Sequence, residues 1–217
     1  MLFEKETYSH KVALIIKRMI ADGKLQGGES VKESLLAEQL GLSRAPIREA
    51  LQELTYEGIL TSEPQKGKRV RQLSAKDIID SYAVGGILEA TGVSESLDLW
   101  TEEDQQALDE IVRNMQEKSK NAKDIADLMD LDDLFHQTLL RRCNNTLLVE
   151  LARQSCSNIS KVLCYQKWHL LFSPQGFCQR HAVIAHMMTK KEAASLQKQI
   201  RAHYQEIGER IIIHNEN

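Results

Sequence analysis

Residues 35–51 read Leu35-Leu36-Ala37-Glu38-Gln39-Leu40-Gly41-Leu42-Ser43-Arg44-Ala45-Pro46-Ile47-Arg48-Glu49-Ala50-Leu51. Leu35, Leu36, Ala37 and Leu40 form a short helical pattern that stops at Gly41. Ser43 is a strong N-cap for a second helix, and Pro46 sits in its first turn, where a missing N–H costs little. Ile47, Ala50, Leu51 and Leu54 continue that helix as an amphipathic stripe to the stop at Gly58. Two short helices around a tight turn have helix-turn-helix dimensions. Upstream, Val12, Ile15, Ile16, Met19 and Ile20 recur at helical spacing before Gly23. Downstream, the β-prone runs Ile59-Leu60-Thr61 and Arg69-Val70-Arg71 flank the turn Ser62–Lys68, which predicts a small hairpin with a basic tip.

In such a motif the first residues of the second helix face base edges in the major groove. Here these are Ser43, Arg44, Ala45 and Arg48. An arginine fork can bridge guanine O6 and N7 or clamp phosphates, and Ser43 at a helix N-terminus can donate to a phosphate oxygen. Lys66, Gly67, Lys68 and Arg69 at the hairpin tip would reach a backbone or a minor groove. Arginines four apart on one helix equally suit a plainly solvated face. The order of cap, proline, arginines and basic hairpin favours the DNA-reading alternative. Charge leans the same way, since residues 1–75 carry 12 Lys+Arg against 10 Asp+Glu and the remainder 16 against 21.

Length suggests two domains, with a boundary at 73/74: a DNA-reading domain over 1–73 and an all-helical domain over 74–217. Helices are expected near 75–97, 102–119, 122–142, 146–167, 174–188 and 190–213, with capping boxes at Ser74–Asp77 and Thr101–Asp104. No stretch approaches the ~18–20 apolar residues of a membrane span, and the start Met1-Leu2-Phe3-Glu4-Lys5-Glu6 has no apolar core of a signal peptide. A cytoplasmic location is expected. Cys143, Cys156, Cys164 and Cys178 lack CxxC spacing and read as reduced, packed thiols.

A second constellation lies in the helical half. Asp132 and His136 are four apart and share one helix face. His181 and His203 lie near the middles of the last two helices, which a short turn at Thr189 should set antiparallel. One carboxylate and three imidazoles form a set suited to Zn²⁺, Ni²⁺, Mn²⁺ or Fe²⁺. Helical histidines are also common as surface or core-polar residues, the reading kept for His10, His169, His186 and His214. A metalloenzyme would need a general base, a nucleophile motif or a phosphate loop, and none is evident; an architectural DNA-binding dimer with structural histidines is a third possibility.

Residues 35–51 with Glu57-Gly58-Ile59-Leu60 resemble the winged helix of the GntR family over about 70 residues. The resemblance implies operator contacts from Ser43, Arg44 and Arg48, with Gly67 at the wing tip. Ala45 stands where the family usually carries Thr, and Ser34 where some members carry an operator-contacting Arg. Leu131-Asp132-Asp133-Leu134-Phe135-His136, Arg180-His181 and Arg201-Ala202-His203 resemble the DxxxH…H…H signature of the FCD effector domain of FadR-like members, in its six-helix VanR-type form. By that resemblance Asp132, His136, His181 and His203 ligate one divalent metal, and a small carboxylate effector binds beside it. The implied protein is a homodimeric, cytoplasmic transcriptional regulator, usually a repressor, that binds operator DNA and is not an enzyme. One departure stands out: Gly85 occupies the position of an arginine that grips the effector carboxylate in many members, and two adjacent helical glycines cost about 1 kcal/mol each relative to Ala.

Overall fold

The computed structural model describes residues 7–63, 67–158, 162–164 and 168–213. They fold into two compact units. The first gathers the described residues of 1–74 with those of 158–166, and the second those of 75–157 and 167–217.

In the first unit, α1 (Tyr8–Ala21) is capped by Thr7, whose side chain accepts from the His10 N–H, and buries Val12, Ala13, Ile16 and Ile20. Strand β1 (Ser30–Val31) leads to α2 (Glu33–Leu40), which Gly41 ends in the left-handed conformation at φ 62°. There the missing Cβ removes the steric penalty. Helix α3 (Arg44–Tyr56) buries Ile47, Ala50, Leu51 and Leu54. Strands β2 (Leu60–Glu63) and β3 (Gly67–Val70) form the hairpin, and the sheet order is β1-β3-β2. The sequence reading contains no strand at Ser30–Val31. Two residues are too few to show alternation, and this strand exists through its pairing with Arg69 and Lys68 of β3. Ile16, Ile47, Leu54 and Ile59 are fully buried at the centre of a core that also takes in Val162.

The second unit contains α4 (Ala75–Glu95), α5 (Glu102–Ser119), α6 (Met129–Leu139), α7 (Thr146–Asn158), α8 (Trp168–Leu171), α9 (Pro174–Lys190) and α10 (Ala193–Ile213). Two expected helices are corrected. The one placed at 122–142 starts as a 3-10 turn, Ile125–Leu128, because the Asp124 side chain accepts from the Ala126 N–H and holds a non-helical entry. The one placed at 146–167 is described as α7 only to Asn158, and a bend at Cys164 keeps it from running on to 167; residues 159–161 and 165–167 lie outside the described residues. Lys191, in the left-handed region at φ 52°, ends α9 and reverses the chain into α10.

Close approach of α10 to α4 accounts for one of the two adjacent glycines. A Cβ on Gly86 would lie 2.9 Å from Tyr204 Cβ, and reciprocally a Cβ on Gly208 would lie 3.4 Å from Tyr82 Cβ. Each helix thus presents a glycine notch to a tyrosine of the other.

At the start of α5, Thr101 and Asp104 form a full capping box. Asp104 is 1% exposed and also receives Arg142 through Nε at 2.7 Å and Nη2 at 3.1 Å. The Arg142 hydrogen bonds outweigh burial and lower its carboxyl to about 2. Stability from this group is therefore complete above the unfolded carboxyl value of about 4 and is lost as pH falls towards 2. Asp104→Asn is expected to destabilise the protein by about 1–3 kcal/mol at pH 7, the cost of a lost charge-assisted pair. It should also flatten the dependence of the urea midpoint on pH between about 4 and 2. A variant with the wild-type acid profile would rule this out.

Candidate functional site

Three helices of the second unit bring the predicted histidines together. His136 on α6, His181 on α9 and His203 on α10 offer ring nitrogens that all lie within 4.8 Å of one another. His181 is wholly buried and His203 is 3% exposed. Asp132 is not within that group of three nitrogens but stands against it: its Oδ1 lies 2.9 Å from His181 Nε2 and 3.5 Å from His136 Nε2. The exposed His186 points elsewhere, and His10 faces Glu53 in the first unit.

The hydrogen bonding specifies which atoms are available to an ion. His181 Nδ1 donates to the Phe177 carbonyl at 2.8 Å. In the neutral ring, Nε2 then directs a lone pair at a carboxylate oxygen, and two acceptors 2.9 Å apart require a cation between them, either a proton or a metal. His203 has both ring nitrogens buried with no hydrogen-bond partner. Burial first, then the neighbouring charges of Arg180, His181 and His136, push its ring well below the ordinary imidazole value, so it is neutral with a free lone pair. An unpaired buried nitrogen costs about 1–3 kcal/mol, and native proteins keep few such groups. A divalent ion fits this donor set: three imidazoles, of which His136 would release a proton on ligation, a flanking carboxylate, and outer hydrogen bonds that fix the ring orientations.

Charge is arranged to match. Burial alone would raise Asp132, but the charge of His136 and hydrogen bonds from His136 and His181 hold it well below the usual carboxylate range. Burial opposes a charge on His136, yet Glu89 and Asp132 outweigh it and raise the ring to about 10.

Sequence reasoning missed Glu89. It comes from α4, is 1% exposed, and places both carboxylate oxygens 2.9 Å from His136 Nδ1. Tyr204 donates its hydroxyl to Glu89 Oε2 at 3.0 Å. A signal was available, because Glu89 falls on the same buried stripe of α4 as Ile78, Tyr82, Gly86 and Val93. An acid on a core stripe needs a partner. It is also the carboxylate whose absence weighed against an enzyme, although it is engaged by His136 and Tyr204. Gly85 is buried on this helix, so α4 supplies no cation there. The guanidinium that does adjoin the histidines is Arg180, which donates to the His203 carbonyl at 2.5 Å and to Glu206 at 2.9 Å.

In the first unit, Ser43, Arg44, Ala45 and Arg48 are all exposed at the start of α3, while Ile47 and Ala50 are buried beneath them. Ser43 occupies the N-cap position without a side-chain capping bond, which leaves its hydroxyl uncommitted to the helix. Arg48 is held in a fork by Glu33 of α2, Nη2 to Oε1 at 2.9 Å and Nε to Oε2 at 3.2 Å. Exposed Gly67 opens β3 at φ 78°, a conformation that favours glycine. Lys66 lies outside the described residues. Lys68 and Arg69 turn back into their own domain: Lys68 Nζ donates to Thr55 Oγ1 at 2.9 Å, and Arg69 Nη1 to the Gly28 carbonyl at 2.8 Å.

Comparison with known proteins agrees with both halves. Residues 8–70 match the family described as bacterial regulatory proteins, gntR family, and residues 80–206 match the FCD domain. The chain is 26% identical over 191 residues to the uncharacterised HTH-type transcriptional regulator YdhC of Bacillus subtilis, covering 87% of this chain and 84% of that protein. It is 22% identical over 203 residues to the transcriptional repressor RspR of Escherichia coli, covering 94% and 88%. Among solved structures, E. coli McbR/YncC superposes with a TM-score of 0.77 at 18% identity, covering 96% of this chain and 99% of that one, which shows a shared fold. The chain belongs to the GntR family of transcriptional regulators, with an N-terminal winged helix-turn-helix and a C-terminal ligand-binding FCD domain, and it is a regulator rather than an enzyme.

Proposed function

We propose that this regulator is a metal-containing repressor whose operator affinity is set by a small ligand bound in the FCD domain. The observation that carries the reading is His203, a buried imidazole with both nitrogens unpaired beside two other imidazoles. His136, His181 and His203 with Asp132 would hold one Zn²⁺, Ni²⁺, Mn²⁺ or Fe²⁺, and the bound ion would supply a Lewis-acidic position for a ligand oxygen. A small carboxylate is the effector class that suits such a position.

On this reading, residues 1–73 bind DNA through Ser43, Arg44, Ala45 and Arg48, with Lys66, Gly67 and Lys68 at the wing; residues 74–217 bind the ligand and dimerise. Ile79, Val84 and Ile87 support a second copy of the chain as partner, being 47–48% exposed along one side of α4. A homodimer would set two recognition helices into successive major grooves of a near-palindromic operator. The effector alters DNA affinity only through its different affinity for the two dimer states. Repression agrees with the name of the relative RspR, and action on chromosomal DNA places the protein in the cytoplasm.

Metal analysis by mass spectrometry on tag-free protein tests the site, with an operator selected from genomic fragments as the binding readout. The wild type is expected to carry about one divalent ion per chain, lost in His181→Ala/His203→Ala. Chelation or added carboxylates should shift operator affinity. No ion in the wild type after reconstitution, or an operator affinity indifferent to metal and carboxylates alike, would overturn the reading.

A further inference from the structure

We infer that Glu89 is a positioning residue for the metal centre: it holds His136 in the ligating tautomer and makes α4 part of the site. This rests on the metal reading above. A carboxylate only accepts hydrogen bonds, so two Glu89 oxygens at 2.9 Å from His136 Nδ1 place the ring proton on that nitrogen. His136 Nε2, which faces Asp132 Oδ1, is left as the ligating atom.

The three histidines differ in how they are held. His181 is fixed through the Phe177 carbonyl, and His203 is packed among the rings of His181 at 4.9 Å and His136 at 5.5 Å. His136 has the most open side chain of the three, 19% exposed, and therefore the ring with most freedom to swing. Its ring packs against Phe135, His181, His203 and Tyr204, and Glu89 adds the carboxylate that fixes Nδ1. Tyr204 in turn steadies Glu89 through its hydroxyl, and it reaches that carboxylate because Gly86 lets α10 close on α4. Burying an acid is costly unless its oxygens are paired; those of Glu89 are spent on the ligand ring and on the tyrosine beside another ligand. The groups facing the site are then Glu89 and Asp132, the three imidazoles, Tyr204 and, beyond His203, Arg180 already paired with Glu206. Two carboxylates against one dication leave the loaded centre near neutrality. Because only residues 71–74 separate β3 from α4, the element tied to the ion through Glu89 is the one the chain enters directly from the DNA-binding domain.

The test uses full-length wild type, Glu89→Gln and Tyr204→Phe, each stripped of metal and titrated with Co²⁺ against a competing chelator. The visible spectrum of the bound ion and the thermal midpoint with and without Co²⁺ are recorded alongside. The wild type is expected to bind about one Co²⁺ per chain, E89Q to bind it about 10- to 100-fold more weakly with shifted d–d bands, and Y204F to fall between them. Wild-type affinity and spectrum in E89Q would overturn the inference and leave the metal site standing. A loss beyond about 1000-fold exceeds an outer hydrogen bond and would make Glu89 a ligand, which also overturns it. Wild type that binds no Co²⁺ would overturn the metal reading and this inference together. Should E89Q fail to fold, Y204F decides, since it removes only a hydroxyl: about tenfold weaker binding supports the assignment, and unchanged binding overturns it.

Discussion

Replacing Arg44 and Arg48 together by alanine is expected to weaken specific operator binding by roughly 100-fold or more, since each well-placed arginine–base contact is worth about tenfold to 100-fold. The two side chains should not contribute equally. Arg44 makes no hydrogen bond or ion pair among the described residues, whereas Nε and Nη2 of Arg48 are engaged by Glu33. On the reading proposed above, Arg48 would approach DNA with its fork half committed and its plane fixed by α2. Arg44→Ala is expected to cost the larger share. Both side chains are exposed, so the thermal midpoint should stay at its wild-type value, as surface ion pairs contribute little. Fluorescence anisotropy with the selected operator and a scrambled duplex, at two salt concentrations, separates lost base reading from lost phosphate contact. A double variant that still prefers its operator to the scrambled duplex by the wild-type ratio would remove α3 from the recognition surface.

The second large effect concerns stability, and its sign is unusual. His203→Leu removes two buried nitrogens that have no partner in the metal-free protein while keeping a side chain of similar bulk. The metal-free variant is expected to be more stable than metal-free wild type by about 1–3 kcal/mol, the cost of leaving such groups unpaired. For a chain of this size that is a rise in midpoint of roughly 2–10 °C. Adding a divalent ion at about 100 times its Kd should stabilise the wild type by about 2.7 kcal/mol and the variant by nothing. The two melting curves would cross. If H203L unfolds before metal-free wild type, the imidazole serves the fold, and the unpaired nitrogens are not a reserve held for an ion. Functional groups kept at a cost to stability are expected where a site must remain competent to bind.

Much of the DNA-binding half was legible in the chain itself. Gly41, Ser43, Pro46 and the stripe Ile47–Ala50–Leu51–Leu54 are local signals, read within a few residues of one another, and the helices they announce lie where periodicity places them. The short strand β1 was not legible, because its cause is the backbone of β3, some 38 residues away. Nor was the turning back of Lys68 and Arg69: a basic hairpin tip is visible as composition, but whether a cation meets solvent or Thr55 is settled by packing against α3.

The same division holds in the helical half. Spacing put Asp132 and His136 on one face, and antiparallel α9 and α10 made a meeting of His181 and His203 reasonable. Periodicity did not reveal that His203 would lack partners or that Asp132 would stand between two imidazoles, because both depend on three helices from distant parts of the chain converging. Glycines 85 and 86 read as a local defect in a helix, whereas Gly86 is the notch through which Tyr204 reaches Glu89.

By itself, then, the sequence determined the order of elements, the helix-turn-helix and the residue types able to bind an ion, since caps, breakers and periodic stripes act over one or two helical turns. Tertiary structure alone decided which nitrogens are free, which cations are already engaged and that Glu89 meets His136 beside the other two imidazoles. Hydrogen-bond partners and burial are set by segments that meet only when the chain has folded.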